Sequence, residues 1–470
     1  MKETLLMIIS LIILFSSFLY VSPAKSNSVP TQCYNHPNPL NGKYREAVSC
    51  PTSKQKVITS NLAATGSKNM FDVTLTCGVK NVSLCDEVKK TFETAGNIIS
   101  SALILNSIIT INASFIDFCV SMGECGGKSG LVTLGGACPA RSIPLQDDDG
   151  LVRLYPQALV KQFQFKTHPE YGPYDILAMF NSAGTNFWFE GDGNMGHDQQ
   201  DFLYVVLHEL IHGLGFASNW GDYINENNPK AMTPDIALVP DGSDSTLKFN
   251  GFMESAFDKY IINMSSGHRT SEITNKLNTF ANETGTKFSD DDDFNAKFKS
   301  SPQYKLALNM MKTVITPSSL GFLPHDSNDL AEAIILETHL NPYQEGSSVS
   351  HVDFNTYNTT NDFLMKYLAD LGVNLRTMTT SRGCTEIIGP KLKLILETIG
   401  YATSDYPNPY IPSVTITSNN LNTNNLNTNF SGNIESVSSA SPKMINFNFE
   451  TLIILNLVGF ITTRYLLKDF

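Results

Sequence analysis

The sequence predicts an α+β fold: a mixed β-sheet N-terminal lobe that carries one strongly apolar helix, followed by an irregular and helical C-terminal lobe. Residues 70–77 (MFDVTLTC) and 107–119 (SIITINASFIDFC) alternate or run apolar as strands do. Between them, 85–101 repeats its apolar residues at helical spacing, giving a strand, helix, strand start. LVTLGG (131–136) and DILAMFNS (175–182) read as two further strands, the stretch 175–190 being expected at a sheet edge. The run VVLHELIHGLGF (205–216) then turns helical, and one buried face against a sheet is how such a lobe closes.

That helix carries the chemistry. His208 and His212 stand four apart, slightly more than one turn, so both imidazoles leave the same face and can reach one metal ion. Glu209 lies beside that face, poorly placed as a ligand but well placed to take a proton from a water that the metal activates. Leu203, Val206, Leu207, Leu210 and Leu214 supply the packing stripe. Asp198 and Asp201 suit the helix start, and Gly213 and Gly215 its end. The competing reading is a pair of core histidines. Charged groups in so apolar a helix are costly without a metal or partner, which favours the metal.

The chain has 470 residues, 41% hydrophobic and 17% charged, enough for two or three lobes around a substantial core. Its net charge of -12, with no basic and aromatic stretch, excludes nucleic acid as a partner. Residues 1–26 have a lysine, an apolar run from Leu5 and small residues to Ala24 or Ser26, the pattern of a secretory signal peptide. All eight cysteines follow it, and an even number in an oxidising compartment favours disulfides, with connectivity open. Six glycosylation sequons, at Asn81, Asn112, Asn263, Asn282, Asn358 and Asn429, fit an extracellular or cell-surface glycoprotein. Residues 27–68 are turn-rich and read as an N-terminal extension or propeptide. A Cys33 thiolate blocking the metal would suit the latter, although the cysteine count favours a disulfide.

After Tyr410 the chain becomes a Ser, Thr and Asn tract with the repeat NNLNT at 419–423 and 424–428; residues 405–440 read as a stalk. Ser438, Ser439 and Ala440, a spacer, and TLIILNLVGFITT (451–463) resemble a lipid-anchor attachment signal within 441–470. Arg464 and Lys468 suit instead a short membrane span, although the apolar run falls short of the ~20 residues a span needs.

A catalytic metal of this kind needs a third protein ligand and one open position. In the compact HExxHxxGxxH pattern a third histidine lies three residues past the glycine; here Gly215 is present and Ser218 occupies that place. The chain instead resembles leishmanolysin among the metzincin zinc metallopeptidases, in which a long insertion separates the motif helix from the third histidine and a Met-turn follows. The matching segment is GSSVSHVDFNTYNTTNDFLMKYLADLG (346–372), with GPKLKLILETIGY (389–401) resembling the final helix. The resemblance implies His351 as third zinc ligand after 138 intervening residues, and Met365 as the Met-turn residue. It divides the chain into a catalytic lobe 69–216, an insertion 217–345 and a second catalytic lobe 346–404. Tyr367, two residues past Met365, matches a transition-state tyrosine of astacins that leishmanolysin lacks.

Other ligands compete with His351. Glu332 and Glu337 lie on a stretch that reads as a helix, DLAEAIILETHL, and His325 and His339 are near it. The acidic runs Asp147–Asp149 and Asp290–Asp293 read as solvated loops, with Ca2+ an unsupported alternative. The expected activity is hydrolysis of protein or peptide substrates with Zn2+ held by His208, His212 and His351 and Glu209 as base. A silent surface glycoprotein that keeps such a fold for adhesion is the alternative.

Overall fold

The computed structural model describes residues 32–414 and 463–466, apart from 43, 54–68, 124, 126–130, 184–185, 226–227, 241–244 and 282–285. The signal peptide, the stalk beyond 414, nearly all of the anchor segment and the sequons at Asn282 and Asn429 lie outside the described residues.

The architecture is α+β, with several small sheets and helices around one extended hydrophobic core. The sheet behind the site is built from β1 (Phe71–Cys77), β2 (Ile109–Ile116), β3 (Leu131–Pro139) and β4 (Ile176–Asn181), with Thr463–Leu466 as β5. Its order is β5-β3-β4-β2-β1; β1, β2 and β4 run parallel and β3 runs against them. The alternating pattern of β2 turns Ile109, Ile111, Ala113 and Phe115 into the core.

Helix α1 (Val82–Ala102) begins at Asn81, whose side chain accepts from Leu84 N, and buries Val88, Phe92, Ala95 and Ile99 along one stripe. Helix α2 (Phe202–Gly213) is the motif helix. Asp201 caps it by accepting from Leu203 N, and every residue of it is buried between the sheet and the rest of the molecule. At Gly213 a Cβ would lie 2.5 Å from Ile176 Cγ2, so only glycine lets the helix end approach β4 this closely.

Residues 32–50 form a hairpin closed by the Cys33–Cys50 disulfide, and Gln32–Asn35 pairs with Arg141–Gln146. Arg45 reaches from this hairpin into a buried ion pair with Asp235. Cys77–Cys85 and Cys119–Cys125 are the other disulfides, while Cys138 and Cys384 are free thiols, a departure from full pairing. Burial pushes the Cys138 thiol up to about 12.

The long insertion folds into the same core. Phe249, Phe252, Phe280, Phe294 and Phe298 pack ring on ring under its hairpin, Asp235–Pro240 with Leu247–Met253. Arg153, fully buried, clamps the insertion to the first lobe: Nε donates to Glu254 at 2.8 Å, Nη1 to Asp147 at 2.9 Å and Nη2 to Asp149 at 2.7 Å. Lys259 Nζ adds a contact to Asp147 at 2.8 Å. Burial opposes the Arg153 charge, but the three carboxylates outweigh it and hold its pKa above the ordinary value.

Four local expectations therefore change. Asp147–Asp149 is a charge network that closes a lobe interface, since Asp147 is buried between Arg153 and Lys259. Asp290 caps the helix Asp291–Lys299 by accepting from Asp293 N, so that run is a helix start where carboxylates meet the positive dipole end. DLAEAIILETHL is not a helix: Leu330–Glu332 makes one 3-10 turn and Ile334–Ile335 pairs with Leu320–Phe322. Within the stretch 175–190, β4 is no edge, since it lies between β3 and β2, while Phe187–Trp188 pairs with Gln200–Asp201 in a separate two-stranded sheet.

Candidate metal centre

The geometry begins in α2, where His208 and His212 face one way at 0% exposure. The loop carrying His351 reaches the same point. His351 Nε2 stands 3.1 Å from His208 Nε2 and 3.3 Å from His212 Nε2, and the two helix histidines are 3.1 Å apart at Nε2. Among the described residues this is the one group of three or more His, Cys, Asp or Glu side chains that could hold a metal ion.

Each ring is oriented from behind by a backbone carbonyl. Nδ1–H of His208 donates to Leu364 O at 2.7 Å, that of His212 to Phe216 O at 2.7 Å and that of His351 to Ser347 O at 3.0 Å. Placing the proton on Nδ1 leaves every Nε2 lone pair directed at the common centre. Burial lowers all three pKa values, that of His208 to about 4, so the rings are neutral at ordinary pH and able to ligate.

Gly215 makes one of these bonds possible. Its φ of 113° lies in the region glycine favours, and the turn brings Phe216 O back to His212. A Cβ there would stand 2.9 Å from Pro156 Cγ. Met365 is 1% exposed in the 3-10 turn Phe363–Met365. The preceding carbonyl, Leu364 O, accepts from His208 and, at 3.1 Å, from Tyr204 OH, while Met365 O accepts from Val352 N at 3.0 Å. The turn thus ties the second lobe to the motif helix from below.

Glu209 is also fully buried, and its Oε2 accepts from Ala137 N of β3 at 3.0 Å. The strand beside the candidate base is therefore β3. Tyr367 packs against Phe354 with ring centroids 5.6 Å apart; burial, then the charges of Glu337 and Asp353, raise its pKa, which keeps the hydroxyl protonated. It makes none of the hydrogen bonds that orient the three imidazoles.

The competing ligands are elsewhere. Glu332 is exposed on the 3-10 turn, and His325 stacks edgewise on Tyr406 at 3.9 Å. Glu337 instead supports the His351 loop: its N–H donates to His351 O at 2.8 Å, its carbonyl accepts from Val349 N, and its carboxylate accepts from His339 N and Phe354 N. The sequence offers little signal for such backbone partners, since any residue can present a carbonyl.

An α+β protein with a buried three-histidine cluster and an adjacent glutamate is thus the class that fold and site define. The chain belongs to the SPBPB7E8-like family, whose model matches residues 33–436. It is 30% identical over 376 residues to the uncharacterized protein PB7E8.01 of Schizosaccharomyces pombe, covering 72% of this chain and 63% of that one. The chain therefore spans less than two thirds of that relative's length. No solved structure matches it.

Proposed function

We propose that the protein is a secreted or cell-surface zinc endopeptidase of metzincin type, with His208, His212 and His351 holding the metal and Glu209 as general base. The observation that carries this reading is the convergence of three neutral Nε2 atoms at 3.1–3.3 Å. Tetrahedral bonds of about 2.0–2.1 Å set ligand nitrogens about 3.3–3.4 Å apart, so the donor set fits zinc with a fourth position left open. Three facing lone pairs this close also repel one another unless a cation lies between them.

Zinc bound there supplies a Lewis acid that lowers the pKa of water and polarises a carbonyl. The chain does the rest. Glu209 takes a proton from the attacking water and later delivers it to the leaving amine, while Ala137 N fixes the carboxylate rotamer. The end of β3 from Gly136 to Pro139, beyond the last residue that β5 pairs, is the backbone beside Glu209 best placed to pair with an extended peptide substrate. Tyr367 is a protonated hydroxyl at the place where astacins, unlike leishmanolysin, carry a supporting tyrosine. Three disulfides support an oxidising, extracellular setting. Among the described residues no helix is long and apolar enough to cross a membrane.

The test is purified protein assayed for zinc content and for cleavage of denatured casein, with and without chelator, beside Glu209→Ala. The expected result is a zinc-loaded, chelator-sensitive peptidase whose Glu209→Ala form keeps the metal and loses at least about a hundredfold in rate. A metal-loaded wild type without peptidase activity would instead favour a binding or adhesion role.

A further inference from the structure

Strand β5 lies on the sheet edge that a peptide substrate would use. Residues Thr463–Leu466 pair antiparallel with β3, Thr463 opposite Gly135 and Leu466 opposite Leu131, while β4 holds the other side of β3 over Gly135–Pro139. β5 also approaches α2, the helix that carries His208, Glu209 and His212. Register fixes its distance from the candidate base. Glu209 Oε2 accepts from Ala137 N at 3.0 Å, and Gly135, where β5 begins, is two residues before Ala137, roughly 7 Å along the strand.

The end of β3 beside Glu209 can receive a peptide but cannot hold it alone. Ala140 N donates to Asp175 O on the β4 side, and alternation along the strand turns the N–H groups of Cys138 and Gly136 the same way. Of the two residues facing outward, Ala137 has its N–H on Glu209 and Pro139 has no N–H. The next outward donor belongs to Gly135. A peptide held here by main-chain hydrogen bonds, the source of affinity when a strand is added to a sheet, must therefore run on over Leu131–Gly135, the residues that β5 covers. From Thr463 to Leu466 the antiparallel strand leads away from Glu209. A substrate running in the same direction would place there the residues on the carboxyl side of its scissile bond.

We infer that Thr463–Leu466 is an internal competitor, a strand of the chain itself that fills the carboxyl-side half of the peptide-binding edge and keeps the centre latent until it leaves. This rests on the peptidase reading. Release breaks no covalent bond: the strand hydrogen bonds of β5 are exchanged for those of the incoming peptide. The anchor-signal reading of 441–470 adds a permanent route, since processing that removes this stretch takes β5 with it.

The experiment uses the full chain, with intact mass confirming that residues 463–466 are present, and compares wild type with Arg464→Pro/Tyr465→Pro. Neighbouring N–H groups of a strand face opposite ways, so the double change removes one that faces β3. Hydrogen exchange along β3 and steady-state cleavage of a peptide substrate are read on the same preparations. The variant should lose exchange protection within Leu131–Gly135 and keep it at Gly136 and Cys138. It should cleave with a KM about tenfold lower and kcat within about twofold, as expected if about nine in ten wild-type molecules have the edge filled. A synthetic peptide of residues 462–468 should inhibit the variant competitively and restore the wild-type KM. Exchange at Leu131–Gly135 that is the same in both proteins would overturn the pairing. Lost protection with an unchanged KM would overturn the inhibition, and cleavage of the wild type just before Thr463 would make the segment a substrate instead. Zinc-loaded wild type and variant that are both inactive, with the edge freed in the variant, would overturn the peptidase reading and the competitor role with it.

Discussion

The backbone N–H of Ser218 donates to Oγ of Ser350 at 3.1 Å. Ser218 stands six residues past His212, where the compact motif places its third histidine, and Ser350 immediately precedes His351. The chain therefore leaves the motif helix, builds the whole insertion and returns to its departure point with the missing imidazole. Ser218 itself is turned away, its hydroxyl donating to Asp258 at 2.6 Å.

Metal retention should follow that geometry. His351→Ala is expected to release metal as readily as His208→Ala, while Glu332→Ala and His339→Ala keep it. Dialysis against a weak chelator followed by elemental analysis decides this. Full occupancy in His351→Ala would refute the three-histidine site.

Gly215→Ala should destabilise the protein by about 1–3 kcal/mol, since alanine resists a φ of 113° and its Cβ would press on Pro156. The same change moves Phe216 O away from His212, so metal affinity should fall about 10- to 100-fold. Denaturant unfolding of the metal-free form and competition with a zinc indicator measure the two effects separately.

Arg153→Met should cost about 3–5 kcal/mol, because it leaves Glu254 buried without its cation and Asp147 with Lys259 alone. A variant as stable as wild type in urea would show that the interface does not depend on this clamp.

For pH, the metal-free protein is best compared with metal-free His208→Gln, so that titrations outside the histidine cluster cancel. The folded pKa of His208 is about 4, below its ordinary 6.5. Above pH 6.5 the ring is neutral folded or unfolded and its contribution is complete. As pH falls from 6.5 to 4, the unfolded chain takes a proton that the folded one refuses. Wild type should then lose about 3 kcal/mol relative to the variant, read from unfolding curves at pH 7 and pH 4. A constant difference would contradict the buried neutral ring.

The motif helix was legible because its signals are local: Asp201 before it, an apolar face along it, and His208 and His212 one turn apart. The strands at 70–77 and 131–136 were legible from their apolar patterns, and the continuation of the second to Pro139 was not. Which strand stands beside Glu209 depends on sheet order, and no side chain of β4 encodes its neighbours. DLAEAIILETHL contains good helix formers, yet tertiary pairing of Ile334–Ile335 with Leu320–Phe322 wins over local propensity. His351 could be singled out through resemblance, since nothing in its own neighbourhood marks it as a partner of residues more than a hundred positions away. The carbonyls of Leu364, Phe216 and Ser347 had no signal at all.

His208 and His351 are 143 positions apart yet meet at 3.1 Å. Closing a loop of that length costs an unfolded chain on the order of 4 kcal/mol in entropy. A nascent polypeptide thus holds only the two neighbouring histidines, and the third arrives when the entire insertion has docked. If the centre cleaves peptides, its cutting power is withheld throughout synthesis and appears only on a finished molecule, which spares the translocation and folding machinery around it without any separate inhibitor.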